Sequence, residues 1–291
     1  MSDVTTHNPE ILKFFRQLQE ARSSALLLDY DGTLAPFTID RRTAIPYSGV
    51  QSLLQAILDS GRTRIVIVTG RSATDISPLL QLRPTPEIWG CHGLQRLQCE
   101  SSSEMPRISA QVAQALTNAE RWLAYQGLHD RAEPKPGSLA VHWRGLDENA
   151  ATALREKILL GWSALTRNYP FTIPEFDGGV ELRLADYDKS RAVQTILQEI
   201  DPNIPVAYLG DDRTDEPAFR ALRGRGLTAL VRPNPRPTLA QVWLRSPEEL
   251  LAFLTAWSQA LAASPSANTG GYSGRAYRDP EGPDYRRSSA R

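Results

Sequence analysis

Residues 25 to 36, ALLLDYDGTLAP, run four apolar residues into two aspartates one residue apart and then a glycine. Two carboxylates that close repel each other unless a cation or a shared proton relieves them, and hard oxygen donors of this kind suit Mg²⁺. An aspartate aimed at a phosphorus can act as nucleophile and form an aspartyl phosphate. A second, two residues on, can then protonate the leaving oxygen and later activate water. Asp29 and Asp31 fit those two roles. GDDRTDE, residues 210–216, brings Asp211, Asp212 and Asp215 to another strand end, a density that again requires a cation. Thr69, Gly70 and Arg71 follow the apolar run RIVIV and offer a hydroxyl and exposed amides suited to a phosphoryl oxygen. Lys189 stands where a helix returns to the core, and its ammonium can neutralise both nucleophile and phosphate. Taken singly, DxDGT has an Asx turn as its alternative, whereas Thr-Gly reads as a turn and Lys189 as a surface charge. Together they share one placement, because each follows a strand or starts a helix as the parts of one site must.

The elements that position these groups are legible as short apolar runs ending in polar loops: Ala25 to Leu28, Ile65 to Val68 and Val206 to Leu209. Each reads as a strand buried on both faces. Helical patterns lie between, at Gln51 to Ser60 closed by Gly61 and at Ser190 to Glu199. This alternation predicts an α/β core with a parallel sheet, in which ligands bind at the carboxyl ends of the strands. Ser246, Pro247 and Glu249 hold N-cap, first-turn and capping-box positions ahead of a closing helix, LLAFLTAW. The middle has another texture, with helices expected over 108–126 and 148–165 and alternating strands in SLAVHWR, FTIPEF and GVELRL. In GVELRL, Glu181 and Arg183 oppose Val180, Leu182 and Leu184, so a sheet with one polar face is predicted. The expected organisation is a core in two parts, 1–104 and 186–262, an α+β cap inserted at 105–185, and a disordered tail at 263–291.

The chain has 291 residues, 33 basic against 33 acidic, so its formal net charge of zero points to neither nucleic acid nor an anionic membrane as partner. A small substrate fits better. The start, MSDVTTHNPEILKFF, lacks a basic segment followed by an apolar run, and no long apolar stretch occurs, which predicts a cytoplasmic protein. Cys91 and Cys99 are the only cysteines and form no CxxC pair, so reduced thiols are expected rather than a disulfide or zinc site.

With Asp29-x-Asp31-Gly32-Thr33, Thr69, Lys189 and GDDRTDE in that order, the chain resembles the haloacid dehalogenase superfamily of phosphohydrolases. Within it, LLLDYDGTLAP, VTGRS, CHGLQR and GDDRTDEPAF are similar to the trehalose-6-phosphate phosphatases, over about residues 22–257. The resemblance implies a Rossmann-like core, Mg²⁺ and a cap inserted between the second and third motifs. It makes Asp29 the nucleophile and Asp31 the general acid/base, with Mg²⁺ held by the Asp29 carboxylate, the Asp31 carbonyl and Asp211, and with Asp212 and Asp215 supporting that shell. Thr69, Lys189 and Arg71 would bind the phosphoryl group, with Gly70 and His92 beside it. EPKPGSLAVHWR resembles the family's pattern of an acid, a lysine and an HxR strand, which implies sugar contacts from Glu133, Lys135, Ser138 and either His142 or Arg144, and Glu181 matches its sugar-hydroxyl acceptor. The implied substrate is a sugar phosphate, trehalose 6-phosphate, handled by a monomer, with a trehalose-6-phosphate synthase as the candidate protein partner.

The chain departs from that family in two places. Cys91-His92-Gly93-Leu94-Gln95 stands where the family reads Asn-His-Gly followed by Ala-Glu, and RLADYDKSRAV lacks the proline after the arginine and the glycine after the lysine. Both bear on sugar recognition. Three rivals stay open: a phosphatase for sucrose 6-phosphate, glucosylglycerol phosphate or mannosyl phosphoglycerate; a catalytically idle sugar-phosphate sensor; and a phosphotransferase, which a full-sized cap disfavours.

Overall fold

The apolar run of β1 (Ser24–Leu28) is buried at every position because it lies in the middle of a sheet covered on both faces. Its odd and even side chains enter different cores. Leu26 and Leu28 pack with Phe14, Leu54, Phe253 and Trp257, whereas Ala25 and Leu27 pack with Val193, Ile196 and Phe219. A computed structural model describes residues 8–38, 43–98 and 104–263. The expected tail lies outside the described residues apart from Ala263, as does Cys99.

In chain order the first part comprises α1 (Pro9–Glu20), β1, α2 (Val50–Asp59), β2 (Thr63–Val68), α3 (Ala73–Leu80), β3 (Glu87–Gly90) and β4 (Gln95–Leu97). A second group follows: α4 (Ala110–Tyr125), β5 (Ala132–Lys135), β6 (Ser138–His142), α5 (Glu148–Asn168), β7 (Phe171–Thr172), β8 (Glu175–Phe176) and β9 (Gly179–Leu184). The chain then returns through α6 (Lys189–Glu199), β10 (Val206–Gly210), α7 (Glu216–Leu222), β11 (Leu227–Val231), β12 (Val242–Leu244) and α8 (Glu248–Ala262).

The larger sheet has the order β12-β11-β10-β1-β2-β3-β4, parallel throughout except for the β3–β4 pair. β1 and β10 are neighbours, with Leu28 beside Leu209, so the two aspartate-bearing loops leave the sheet side by side. The smaller sheet, β5-β6-β9-β7 with β8 on β9, is antiparallel and packs its apolar face on α4 and α5 through Leu123, Leu139, Val141, Ile158, Trp162 and Val180. Its opposite, polar face is withdrawn from solvent along β9 and only partly exposed at Glu133 and His142. Glu181 is 1% exposed and Arg183 8%, because this face turns toward the larger sheet's loops.

The start of α8 differs from expectation. Its N-cap is Pro247, which supplies no side-chain cap. Glu249 accepts from the Arg245 amide and donates its own amide to the Arg245 carbonyl, so the reciprocal clasp forms one residue earlier than a box on Ser246. Elsewhere caps follow composition: Asp188 accepts from the Ser190 amide at α6, and Gly61 follows α2 at φ +65°.

Candidate active site

The Asp29 amide donates to Leu209, which extends the β1–β10 ladder to the carboxylate itself. The chain then folds back through Gly32 to Ala35 and Leu34 to Tyr30 hydrogen bonds, and the Tyr30 hydroxyl, buried, donates to the Ala44 carbonyl at 2.6 Å. Gly32 holds φ +82°, and a Cβ there would collide with the Asp211 carboxylate. The glycine of DxDGT is thus needed twice, for the turn and for the close approach of the second loop.

Around Asp29 sits a buried charge cluster. Lys189 Nζ donates to Asp29 Oδ1 at 2.6 Å and to Asp215 Oδ1 at 2.8 Å. Asp215 Oδ1 also accepts from the Tyr208 hydroxyl, and its Oδ2 accepts from the Asp211 and Asp212 amides. With both oxygens engaged, Asp215 orients the loop and the lysine. Asp29, Asp211 and Asp215 each place an oxygen within 4.8 Å of the others. Burial pushes the Asp29 carboxyl up to about 7, against the pull of Lys189 and with the push of Asp215. Burial, then Asp29 and Asp215, hold Asp211 well above the usual carboxylate range. Burial works to lower the Lys189 pKa, but Asp215 and Asp29 outweigh it, so the lysine stays charged. Three carboxylates facing one ammonium leave an excess of negative charge, and these hard oxygen donors fit a divalent cation such as Mg²⁺. Asp212 stands apart from this group. Its oxygens accept from the Asp177 and Arg213 amides, and Asp177 belongs to the β8–β9 tip of the smaller sheet.

On the other side of β1, Thr69 follows β2, fully buried, and its hydroxyl accepts from the Arg71 amide. Arg71 is 4% exposed, grips Asp31 through both Nε and a terminal nitrogen, and lies over the Tyr30 ring at 5.6 Å. Gly70 lets His92 close in, since a Cβ at 70 would fall 2.6 Å from His92 Nε2. Cys91 and His92 have positive φ, at 49° and 54°, a conformation costly to non-glycine residues and of the kind that concentrates at functional sites. Gln95, where the resembled family carries a carboxylate, is engaged at the start of α3, where its Oε1 accepts from the Ala73 amide.

The smaller sheet brings its polar face over these loops. Glu181 receives Lys135 Nζ at 2.6 Å and the Ser138 hydroxyl at 2.9 Å on Oε1, and His92 Nε2 at 2.9 Å on Oε2. Burial lowers the His92 pKa to about 4, so the imidazole is neutral and donates from Nε2. Burial alone would raise Glu181, but Lys135 and His92 hold it well below the usual range. Lys135 also donates to the Gly70 carbonyl at 3.2 Å, which ties the two sheets together beside Thr69. Glu133 and His142 pair at 2.8 Å. Arg144 donates to the carbonyls of Thr38 and Asp177 and lies 4.6 Å over the Phe37 ring, so it bridges the two lobes at the mouth.

A cleft open to solvent joins these groups. Asp29, Asp31, Lys189, Asp211 and Asp212 line it from the larger sheet with Gly70 and His92, and Glu133, Lys135, His142 and Arg144 from the smaller. Thr69, Arg71, Ser138, Glu181 and Asp215 stand behind that wall. Phe37, Phe176 and Thr214 also line it, and Tyr208 and Asp177 support it, though none of these five carried a signal of type and spacing. Thr214 inside GDDRTDE, Tyr208 inside the Val206–Leu209 run and Phe176 inside FTIPEF lay in segments that the sequence marks, but without a signal for their own role.

A parallel core, an antiparallel sheet inserted into its chain and carboxylates gathered at adjacent strand ends define a haloacid dehalogenase type of phosphohydrolase, the fold shared by the solved structures that match. The trehalose-phosphatase family model matches residues 27–247, and the chain belongs to that family, as a phosphoric monoester hydrolase. Among curated relatives, a probable trehalose-phosphate phosphatase 4 of Oryza sativa subsp. japonica is 28% identical over 269 residues, which cover 86% of this chain and 71% of that one. The C-terminal domain of Candida albicans trehalose-6-phosphate phosphatase superposes with a TM-score of 0.75 at 19% identity, over 85% of this chain and 96% of that one. The C-terminal domain of the Candida albicans trehalose synthase regulatory protein shares the fold at a TM-score of 0.66 and 13% identity, over 84% and 97%. Among the described residues no helix is long and apolar enough to cross a membrane.

Proposed function

We propose that the chain hydrolyses trehalose 6-phosphate to trehalose and phosphate through an aspartyl phosphate on Asp29. The observation that supports this most is the division of one cavity: buried Asp29, Lys189 and Asp211 on the side of the larger sheet, and Glu133, Lys135 and His142 brought over them by the smaller. In the proposed first step the Asp29 carboxylate attacks phosphorus while Asp31 gives a proton to the departing sugar oxygen; in the second, Asp31 takes a proton from the water that cleaves the acyl phosphate. Lys189 pulls the Asp29 pKa down, favouring its ionised form, and pairs with the incoming phosphoryl charge, with Thr69 proposed as a further phosphoryl contact. Arg71 fixes the Asp31 carboxylate, and phosphoryl oxygens entering beside it would compete for the guanidinium.

Asp29, the Asp31 carbonyl and Asp211 are the groups that would hold Mg²⁺, with Asp215 and Asp212 orienting them. When bound, the cation supplies charge neutralisation for the phosphoryl group. On the sugar side, Glu181 holds Lys135 and His92 at the cavity wall, so both are preorganised for sugar hydroxyls, and an analogue lacking one leaves polar groups unpaired. The reading includes a cytoplasmic monomer whose substrate comes from a trehalose-6-phosphate synthase.

The test is phosphate release by the purified protein with Mg²⁺ on trehalose 6-phosphate, sucrose 6-phosphate, glucosylglycerol phosphate and glucose 6-phosphate, with Asp29→Asn as control. Preference for trehalose 6-phosphate, lost in Asp29→Asn, is the expected result. Preference for another sugar phosphate removes the substrate and keeps the chemistry. No turnover of any would favour a sugar-phosphate sensor.

A further inference from the structure

The polar groups of the cavity suit sugar hydroxyls, yet a pyranose also presents a face of C–H bonds that a wholly polar wall cannot desolvate favourably. Phe37, from the loop after β1, and Phe176, from β8, line the same cavity from opposite lobes. Neither belongs to any of the three apolar cores or packs against one, and Phe37 remains 39% exposed. The tip that carries Phe176 is built around it. A Cβ at Gly179 would collide with the Phe176 ring, and one at Gly178, at φ +89°, would fall 2.7 Å from the Arg144 side chain. The Asp177-Gly178-Gly179 turn therefore clears space for a phenyl ring and a guanidinium at the mouth. His142 packs edge-on against Phe176, with ring centres 5.3 Å apart, and Arg144 covers part of Phe37. A large ring held at a polar mouth and outside the three apolar cores keeps apolar surface available to a ligand.

We propose that Phe176, with Phe37 as its counterpart on the larger lobe, is a specificity-determining wall that takes the C–H face of the sugar, so that the site selects a ring-bearing phosphate over a short alkyl phosphate. This rests on the reading that the smaller lobe receives a sugar. Phe176 acts on binding, through apolar contact, and takes no part in proton or phosphoryl transfer.

The experiment compares kcat and KM of wild type, Phe176→Leu, Phe176→Ala and Phe176→Tyr on the best sugar phosphate and on sn-glycerol 3-phosphate. In Phe176→Ala the ratio of kcat/KM for the sugar phosphate to that for glycerol phosphate is expected to fall about tenfold, mainly through KM, equivalent to about 1.4 kcal/mol. Phe176→Leu, which keeps bulk and folding, lies between, and Phe176→Tyr restores the ratio to within about threefold. Equal losses on both substrates, or no change in the ratio, overturn the proposal. The wild-type ranking is read separately: if trehalose 6-phosphate is not the best substrate, the substrate assignment falls while the ratio is still measured on the sugar phosphate that is. If no sugar phosphate is turned over, the dissociation constant of trehalose 6-phosphate by calorimetry replaces KM, and unaltered binding in Phe176→Ala, or none in wild type, overturns the proposal.

Discussion

Lys189→Met replaces the one ammonium inside the carboxylate cluster by an apolar side chain of similar length. In the native protein Lys189 is 3% exposed and donates at 2.6 and 2.8 Å to carboxylates that are 5% and 0% exposed, so no solvent screens these pairs. Removing one partner of a buried ion pair leaves an uncompensated charge and costs about 3–5 kcal/mol. Part of that cost is avoidable, because the carboxylates can take up a proton. Asp29, held at about 7 even with the lysine pulling it down, rises further without it. A carboxyl whose folded pKa lies above its unfolded value binds more protons when folded, so stability rises as pH falls through the interval between the two. The variant extends that interval upward, and its deficit relative to wild type should be largest near pH 8 and smaller near pH 5.5. Urea unfolding in the presence of a chelator measures the deficit at each pH. Turnover of the sugar phosphate with Mg²⁺ should drop by about 10³-fold or more, since the nucleophile is protonated and a donor to phosphate is lost. A deficit independent of pH, or activity within tenfold of wild type, would refute the reasoning.

His92 is buried neutral, with a pKa near 4 against 6.5 unfolded. The unfolded chain therefore binds more protons between those values, and wild-type stability should decline by about 3 kcal/mol as pH falls across that window. His92→Asn, which tolerates the positive φ, should lose this part of the slope, and parallel slopes in unfolding experiments would count against a buried neutral imidazole. Glu181→Gln keeps shape and removes the charge that Lys135 and His92 face. Its kcat/KM for the sugar phosphate should fall about 10²-fold or more while discrimination against glucose 6-phosphate narrows, as measured with both substrates in parallel. Chelation should abolish turnover and raise the apparent pKa of Asp29, followed by NMR of the carboxyl group, and added Mg²⁺ should reverse both; activity that survives exhaustive chelation would remove the cation from the proposal.

The strands that carry the chemistry were legible because both signals are local. A strand buried on two faces needs a short unbroken apolar run, and a carboxylate at its end interrupts that run visibly, as at Leu28–Asp29 and Leu209–Asp211. β12, three residues long, and β3, four, have no such signature, since each is a strand only by pairing with a neighbour brought there by the fold. The polar face of β6 and β9 was predicted from alternation, but alternation says only that Glu181 and Arg183 share a side. Whether that side meets water or protein depends on a contact with residues almost a hundred positions away, such as His92.

The sequence by itself determined the α/β class, the order of the motifs and the identities of the catalytic candidates, because helix and strand periodicity and the valence of carboxylate, hydroxyl and ammonium are properties of short segments. Tertiary structure decided which of five aspartates share a cluster. It tied Asp212 to the smaller lobe's Asp177 amide, filled both oxygens of Asp215 with donors, and set Lys189 between Asp29 and Asp215. It also placed Phe176 at the mouth by means of Gly179. Those outcomes depend on distances between residues far apart in the chain, and spacing along a sequence carries no record of them until the backbone closes.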